Sequence, residues 1–337
     1  MTRALVTGAT GFIGHHLVKQ LVKLGIEVTC LVRSTSDLAR LEPYQPRFLI
    51  GDVTHAASLK SATEGIDWVF HLAGLTKTLR RKNLDRVNVG GPRNVAEACA
   101  RQNNPPTLVS VSSLAASGPS TPGIPLTEQS NPAPISNYGR SKLAGERAVS
   151  AFSDRIPLTI IRPPIVLGEY DQDGFQLFVS VYKYGIHLVP TWRDYEFSVI
   201  HAEDLANALV SAAVKGGRMS AHPVDSRGIY FVSSDKIVTY AELGRLIAGI
   251  VGRSHTRLLY LPSPLLWGLG FFSEIVCQVR RRPGILNLDK IREAVAGSWT
   301  CCDDQLRNDT GYQPAQPFSD RLRQTADWYC DQGWLKR

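Results

Sequence analysis

Cysteine is sparse in this 337-residue chain, and its six copies (30, 99, 277, 301, 302 and 330) show neither metal-ligand spacing nor a disulfide framework. Cys301 and Cys302 are adjacent, too close for an unstrained bridge. No metal site is expected, and a reducing, cytoplasmic location fits best. A secretory signal is not expected either, because residues 1–14 already read as a strand and a glycine-rich loop. The only long apolar run, 258–279, is interrupted by Pro262, Ser263, Pro264, Ser273, Glu274 and Gln278 and is followed by Arg280-Arg281-Arg282. Those interruptions argue against a spanning helix. They favour a helix packed over a substrate cleft, with contact to a membrane surface left open. The net charge of +8 is spread along the chain without a nucleic-acid motif, so a nucleic acid is not an expected partner. There is no internal repeat or low-complexity tract.

What remains is a globular protein of ordinary make-up, 43% hydrophobic and 20% charged, with enough chain for a large core. Its first half alternates β-rich runs with helical patterns. Strands are expected at 3–7, 27–32, 47–50, 67–71, 107–112 and 158–162, and helices at 12–24, 56–63, 84–102 and 138–152. This alternation predicts an α/β fold, a doubly wound parallel Rossmann sheet with helices on both faces. From Gly168 onward the pattern loosens, with further helices expected at 240–251, 287–296 and 317–330. The expected division is a dinucleotide-binding domain at 1–167, to which 197–232 returns, and a smaller substrate lobe from 168–196 and 233–337. Two segments, 197–213 and 227–232, are expected to rejoin the sheet.

The opening run Thr7-Gly-Ala-Thr-Gly-Phe-Ile-Gly14 sits at the first strand-to-helix turn. Gly8 permits the tight turn, Gly11 lets backbone approach a pyrophosphate, and Gly14 lets helix pack on strand. Amides around Thr10, Gly11, Phe12 and Ile13 then face the phosphates at the positive end of the helix dipole. A second absence is informative here. The strand 27–32 ends where a carboxylate would normally hold a ribose 2′-hydroxyl, yet Val32 stands there and Arg33 follows. A guanidinium suits a 2′-phosphate, so NADP is expected in preference to NAD. Gly8, Arg33, Asp52, His71 to Gly74, and Ser112-Ser113 all follow strands and so converge on one crevice.

Tyr138 and Lys142, in Asn-Tyr-Gly-Arg-Ser-Lys, are four residues apart and share a helix face. An ammonium beside a phenol lowers its pKa, so Tyr138 can exchange a proton while hydride moves. Ser113 is the expected second donor to a carbonyl oxygen. Alone, a Tyr-x-x-x-Lys pair is usually a solvated helix face; after a dinucleotide loop and a strand-end serine it reads as catalytic.

Taken together these residues resemble the extended short-chain dehydrogenase/reductase family, specifically its NAD-dependent epimerase/dehydratase and 3β-hydroxysteroid dehydrogenase-like group. The resemblance implies that Asp52 and Val53 contact adenine, and that Leu72, Ala73 and Gly74 lie under the middle of the cofactor. It also implies that Asn88 contacts the cofactor from a neighbouring helix, that Ser113 is the catalytic member of its pair, and that Pro163 and Val166 lie beside the nicotinamide. Local readings stand next to these. Asp52 can serve only as a cap before the helix that follows. His71 reads as a packed strand-end histidine rather than a base, His201 as a residue away from substrate, and Asp204 as a helix N-terminal charge. The leading function is hydride transfer between NAD(P) and a secondary alcohol or ketone, sterol-like or otherwise hydrophobic. A nucleotide-sugar epimerase or dehydratase with retained NAD is the alternative; Leu114 and Ala115 after Ser113, where dehydratases usually add an acid, weaken the dehydratase version. A non-catalytic cofactor-binding regulator is the third. Expected partners are a small-molecule substrate and, as an open question, a second copy in a homodimer.

Arg33 gives a quantitative test. Arg33→Ala should weaken NADP binding by about tenfold to a hundredfold and leave NAD nearly unchanged, as measured by the two dissociation constants.

Overall fold

The strand and helix periods translate into a βα alternation followed by two small sheets and further helices. The computed structural model describes residues 1–220, 226–280, 284 and 287–335. In chain order the first half comprises β1 (Arg3–Thr7), α1 (Phe12–Lys23), β2 (Glu27–Val32), β3 (Arg47–Ile50), β4 (Trp68–His71), α2 (Arg81–Asp85), α3 (Gly91–Ala100), β5 (Thr107–Val111), α4 (Asn137–Ser150) and β6 (Leu158–Arg162). There follow β7 (Ile165–Leu167), α5 (Gln172–Tyr184), β8 (Ile186–Pro190), β9 (Glu196–His201), α6 (Ala202–Lys215), β10 (Ile229–Phe231), β11 (Ile237–Thr239) and α7 (Tyr240–Ile250). The chain closes with β12 (Arg257–Leu261), α8 (Ser263–Arg280), α9 (Leu288–Val295), α10 (Asp304–Thr310) and α11 (Phe318–Asp331).

Seven strands form one sheet in the order β10-β6-β5-β4-β1-β2-β3, every pair parallel. Parallel strands are buried on both faces, which is why β6 reads Leu-Thr-Ile-Ile-Arg with every residue buried. One core packs α1 and α6 on one face, through Leu17, Leu21, Leu205 and Leu209; the other packs α3 and α4, through Val95, Cys99 and Val149. The strand order reverses between β1 and β4, and ligands on such sheets collect at that point. Gly8 leaves β1 there with φ +75, and a Cβ on it would lie 2.6 Å from the Ala73 amide nitrogen beyond β4. Only glycine fits this crossing of two loops.

Departures from the sequence pattern are local. The segment expected as helix 56–63 forms a single 3₁₀ turn, Ala56–Leu59. The helix expected at 84–102 is interrupted by a π-helical turn, Arg86–Gly90, which carries Asn88. β10 joins the large sheet beside β6, and α6 packs on that sheet's core, but β9 does not rejoin it. β9 pairs with β7 and β11 in a separate three-stranded sheet. β8 and β12 pair in a third, two-stranded one. A further core, including Phe178, Val181, Leu243, Leu322 and Tyr329, joins α5, α7 and α11 to β9 and β11.

α4 is held against the large sheet by a close backbone approach and a buried ion pair. A Cβ on Gly145 would lie 2.1 Å from the Asn88 carbonyl oxygen, so the helix can approach only where it has glycine. One turn from Lys142, Glu146 accepts two hydrogen bonds from Arg162 of β6, Nε to Oε1 at 2.9 Å and Nη2 to Oε2 at 2.7 Å. The Ser112 hydroxyl donates to the same carboxylate. The two side chains are only 3% and 7% exposed. Removing one partner of a buried pair strands the other charge, which costs far more than deleting both. Glu146→Gln should therefore destabilise the fold by about 3–5 kcal/mol in urea unfolding, and Glu146→Gln with Arg162→Met should recover much of that loss. Equal or additive losses in the double variant would show the pair to be incidental.

Candidate active site

The turn after β1 leaves the first amides of α1 open. Gly11 caps the helix in extended geometry without a side-chain hydrogen bond, and no acidic residue lies in the first turn. Gly11 is exposed, while Thr10, Phe12 and Ile13 are half-buried around it. A Cβ on Gly14 would fall 2.2 Å from the Gly8 carbonyl oxygen, so the third glycine serves the packing of helix on strand. Unsatisfied amides beside an uncharged turn are what a pyrophosphate requires. The site thus fits a dinucleotide.

Around this turn the predicted residues gather unevenly. Arg33 is exposed beyond β2, and Val32 is buried. Asp52 accepts from the Thr54 amide at 2.8 Å, a local turn contact and not a helix cap, since the 3₁₀ turn that follows is led by His55 without a side-chain cap. Burial works to raise the Asp52 carboxyl, but the Thr54 bonds outweigh it and hold the group below the usual range, with smaller help from His55 and Arg33. Val53 is buried and packs against Gly91. Leu72 and Ala73 are half-buried and Gly74 is exposed. Asn88 lies beneath Gly74 with its amide engaged by protein: Oδ1 accepts from the Leu75 amide at 2.8 Å, and Nδ2 donates to the Leu75 carbonyl at 2.8 Å and to Ser141 Oγ at 2.9 Å. It fastens the loop after β4 to α4. Pro163 is buried, its carbonyl accepting from the Leu114 amide, and Val166 is half-buried in β7.

At the end of β5 successive side chains point to opposite sides. Ser112 turns into the Glu146–Arg162 pair, whereas the Ser113 hydroxyl accepts from the Ala115 amide at 3.2 Å and lies near enough to Tyr138 to work against the rise of its phenol. Lys142 donates from Nζ to the Val111 carbonyl at 2.7 Å. Burial pushes its ammonium down to about 8, and the Glu146 carboxylate partly offsets this. His71 is buried and bonded to Thr7 Oγ1 at 2.7 Å; burial, then the charge of Lys142, lower it to about 3. It is a neutral packing residue. The cavity among His71, Asn88, Ser112, Lys142 and Glu146 holds only about 10 Å³, too little for any substrate. His201 and Asp204 are buried away from this cleft, the first beside Glu169 and the second paired with Arg321.

One electrostatic expectation is corrected. Tyr138 was to be lowered by Lys142, yet burial raises the phenol above its ordinary value, and the cation that opposes the rise is Lys290 of α9. Lys290 Nζ stands 5.6 Å from the Tyr138 ring centroid, within cation–π range. The same helix grips the start of α4. Asp289 Oδ2 accepts from the Tyr138 amide at 3.1 Å, and Ser136 Oγ donates to Glu293 Oε1 at 2.6 Å. None of these α9 residues was apparent from sequence, since 151 residues separate Asp289 from Tyr138. Glu146 could have been found, being one further turn along the Tyr138–Lys142 face.

With these parts in place, comparison with known proteins identifies the class. Residues 4–221 match the sequence profile of the NAD dependent epimerase/dehydratase family, and the chain belongs to that family, within the extended short-chain dehydrogenases/reductases. It is 30% identical over 334 residues to the ceramide reductase of Caulobacter vibrioides, covering 98% of this chain and 96% of that protein. Human 3 beta-hydroxysteroid dehydrogenase type 7 is 28% identical over 357 residues, covering 96% and 94%. Among solved structures, the UDP-glucose 4-epimerase of Thermotoga maritima shares the fold, with a TM-score of 0.77, 18% identity, and coverage of 98% and 99%.

The Lys290 contact has a spectroscopic consequence. Removing a cation that lowers the phenol leaves burial and Glu293, both of which raise it, so Lys290→Met should move the Tyr138 titration to higher pH. Phenolate absorbance, read as a difference from the Tyr138→Phe protein, isolates this phenol among the eleven tyrosines. An unmoved titration would remove Lys290 from the site.

Proposed function

We propose that the protein is an NAD(P)-dependent oxidoreductase that interconverts a secondary alcohol and a ketone on a hydrophobic substrate, with NADP preferred. The observation that carries this reading is the convergence of Ser113, Tyr138 and Lys142 beside the uncapped turn Gly8–Gly14. The relatives named for ceramide and for a 3β-hydroxysteroid, both matched almost end to end, support a lipid-like substrate. In this reading the large sheet holds the cofactor, and the lobe built from 168–196 and 233–337 receives the substrate.

The residues divide the work. Amides at Thr10, Phe12 and Ile13 hold the pyrophosphate where Gly11, its own amide bonded to the Gly8 carbonyl, lets it approach; Arg33 holds the 2′-phosphate, and Asp52 and Val53 the adenine end. Leu72 to Gly74 support the middle of the dinucleotide, with Asn88 steadying that loop, and Pro163 and Val166 border the nicotinamide. When bound, the nicotinamide supplies or accepts the hydride. Tyr138 gives its phenolic proton to the oxygen in reduction and takes it back in oxidation. Ser113 donates to the same oxygen and holds it in line. The Lys142 ammonium anchors ribose hydroxyls and places positive charge under the site.

Tyr138→Phe removes only the acid/base group. It should leave cofactor dissociation constants nearly intact while lowering turnover by about 10²–10⁴-fold, in steady-state assays of NADPH oxidation across a panel of ceramide-like and steroid ketones. Wild-type activity in that variant would sink the mechanism. A wild type that reduces no ketone of the panel but carries tightly held NAD would move the protein to the epimerase reading.

A further inference from the structure

The outward surface of α8 takes no part in the proposed reaction, and its pattern is inverted. Positions 265, 269, 272, 275 and 279 recur every three or four residues and make one stripe. On a helix of a globular protein the apolar stripe faces the core. Here it faces out: Leu265, Leu269, Phe272, Ile275 and Val279 are 50%, 42%, 66%, 48% and 79% exposed, with Phe271 at 61% beside them. The opposite side is the buried one. Leu266 and Gly270 pack inward, and a Cβ on Gly270 would lie 2.1 Å from Ile291 Cδ1, so α8 rests directly on α9. Glu274 and Arg280 are the only charged residues of the helix. Glu274 is half-buried on the inward side, and Arg280 is exposed at the C-terminal end. The sequence adds Arg281 and Arg282 directly after, outside the described residues. The strand leading into the helix is also apolar and open: Leu259 of β12 is paired in register with Leu188 of β8, and they are 43% and 50% exposed. A contiguous exposed apolar face of this kind marks an interaction surface.

We propose that the outward face of α8 lies in the headgroup layer of an anionic phospholipid bilayer, with Arg280 at the phosphates. Charge decides the occupant. A neutral protein groove or a second copy would complement the apolar stripe alone, whereas a negatively charged bilayer complements both the stripe and its cationic end. The net charge of +8 favours the same surface. No helix among the described residues is long and apolar enough to cross a membrane, so the contact is a flat one. Because α8 rests on α9, and α9 reaches Tyr138, docking places the catalytic helix next to the bilayer. The inference holds whatever the substrate.

Flotation of the purified full chain with vesicles tests it, using phosphatidylcholine alone and phosphatidylcholine mixed with phosphatidylglycerol. The wild type should float with the mixed vesicles, float less with phosphatidylcholine alone, and lose part of its binding at high salt. Phe272→Ser with Ile275→Ser should cut partitioning by about tenfold or more while leaving thermal unfolding unchanged, both side chains being exposed. Arg280→Glu should reduce the preference for the anionic vesicles. A wild type that floats with neither vesicle overturns the proposal, as does a double variant that floats like the wild type. A wild type that self-associates without lipid, and becomes monomeric in the double variant, assigns the face to a second copy instead.

Discussion

The rotation of α4 about its own axis depends on one buried carboxylate. Glu146 is gripped on two oxygens by Arg162, which stands at the end of β6, and is closed by the hydroxyl of Ser112 at the end of β5. Two strands thus fix one point on the helix. Lys142 and Tyr138 lie one and two turns away on the same face, so locking Glu146 sets the direction in which both project. A buried pair of this kind adds little net stability compared with an apolar core. What it contributes is a single angular setting, and hydride chemistry tolerates little error in position.

Other contacts of α4 act through the backbone. Near its middle, Gly145 allows contact with the Asn88 backbone, and Asn88 in turn ties the loop after β4 to Ser141. Residues that look suited to touching a ligand therefore also hold loops in place. At the lobe boundary, Arg321 of α11 reaches Asp204 and Glu203 of α6, and Glu203 also pairs with Lys19 of α1. Glu169 lies between His16 and His201 in the same region. These contacts tie α11 and the segment around Glu169 to α1 and α6.

Sequence patterns reveal much of this and stop at a recognisable limit. Parallel strands buried on both faces are continuous apolar runs, which is why the strands at 27–32 and 158–162 were legible to the residue. Gly8, Gly11 and Gly14 mark their own turn. The spacing of Tyr138 and Lys142 announces a shared face, because that relation is local. The π-helical turn at Asn88 was not legible, since it exists to satisfy partners at Leu75 and Ser141 rather than any local preference. Nor was the cation near Tyr138. The ammonium expected there, Lys142, is drawn to the Val111 carbonyl, and the one that faces the ring comes from a helix near the other end of the chain. β9 misled for the same reason: its composition is that of a sheet strand, but its choice of sheet is made by β7 and β11.

The hold of α9 on the first turn of α4 makes two lobes share one helix terminus. The amide of Tyr138, which in an isolated helix would point to water or to a local cap, is bonded to a carboxylate from the small lobe, and the cap residue Ser136 is bonded to another. Helix termini are where fraying begins. The order of this turn is therefore not a property of the first half of the chain alone; it depends also on the seating of α9. Two acidic side chains, set far along the chain from the turn they hold, thus carry part of what keeps Tyr138 in place.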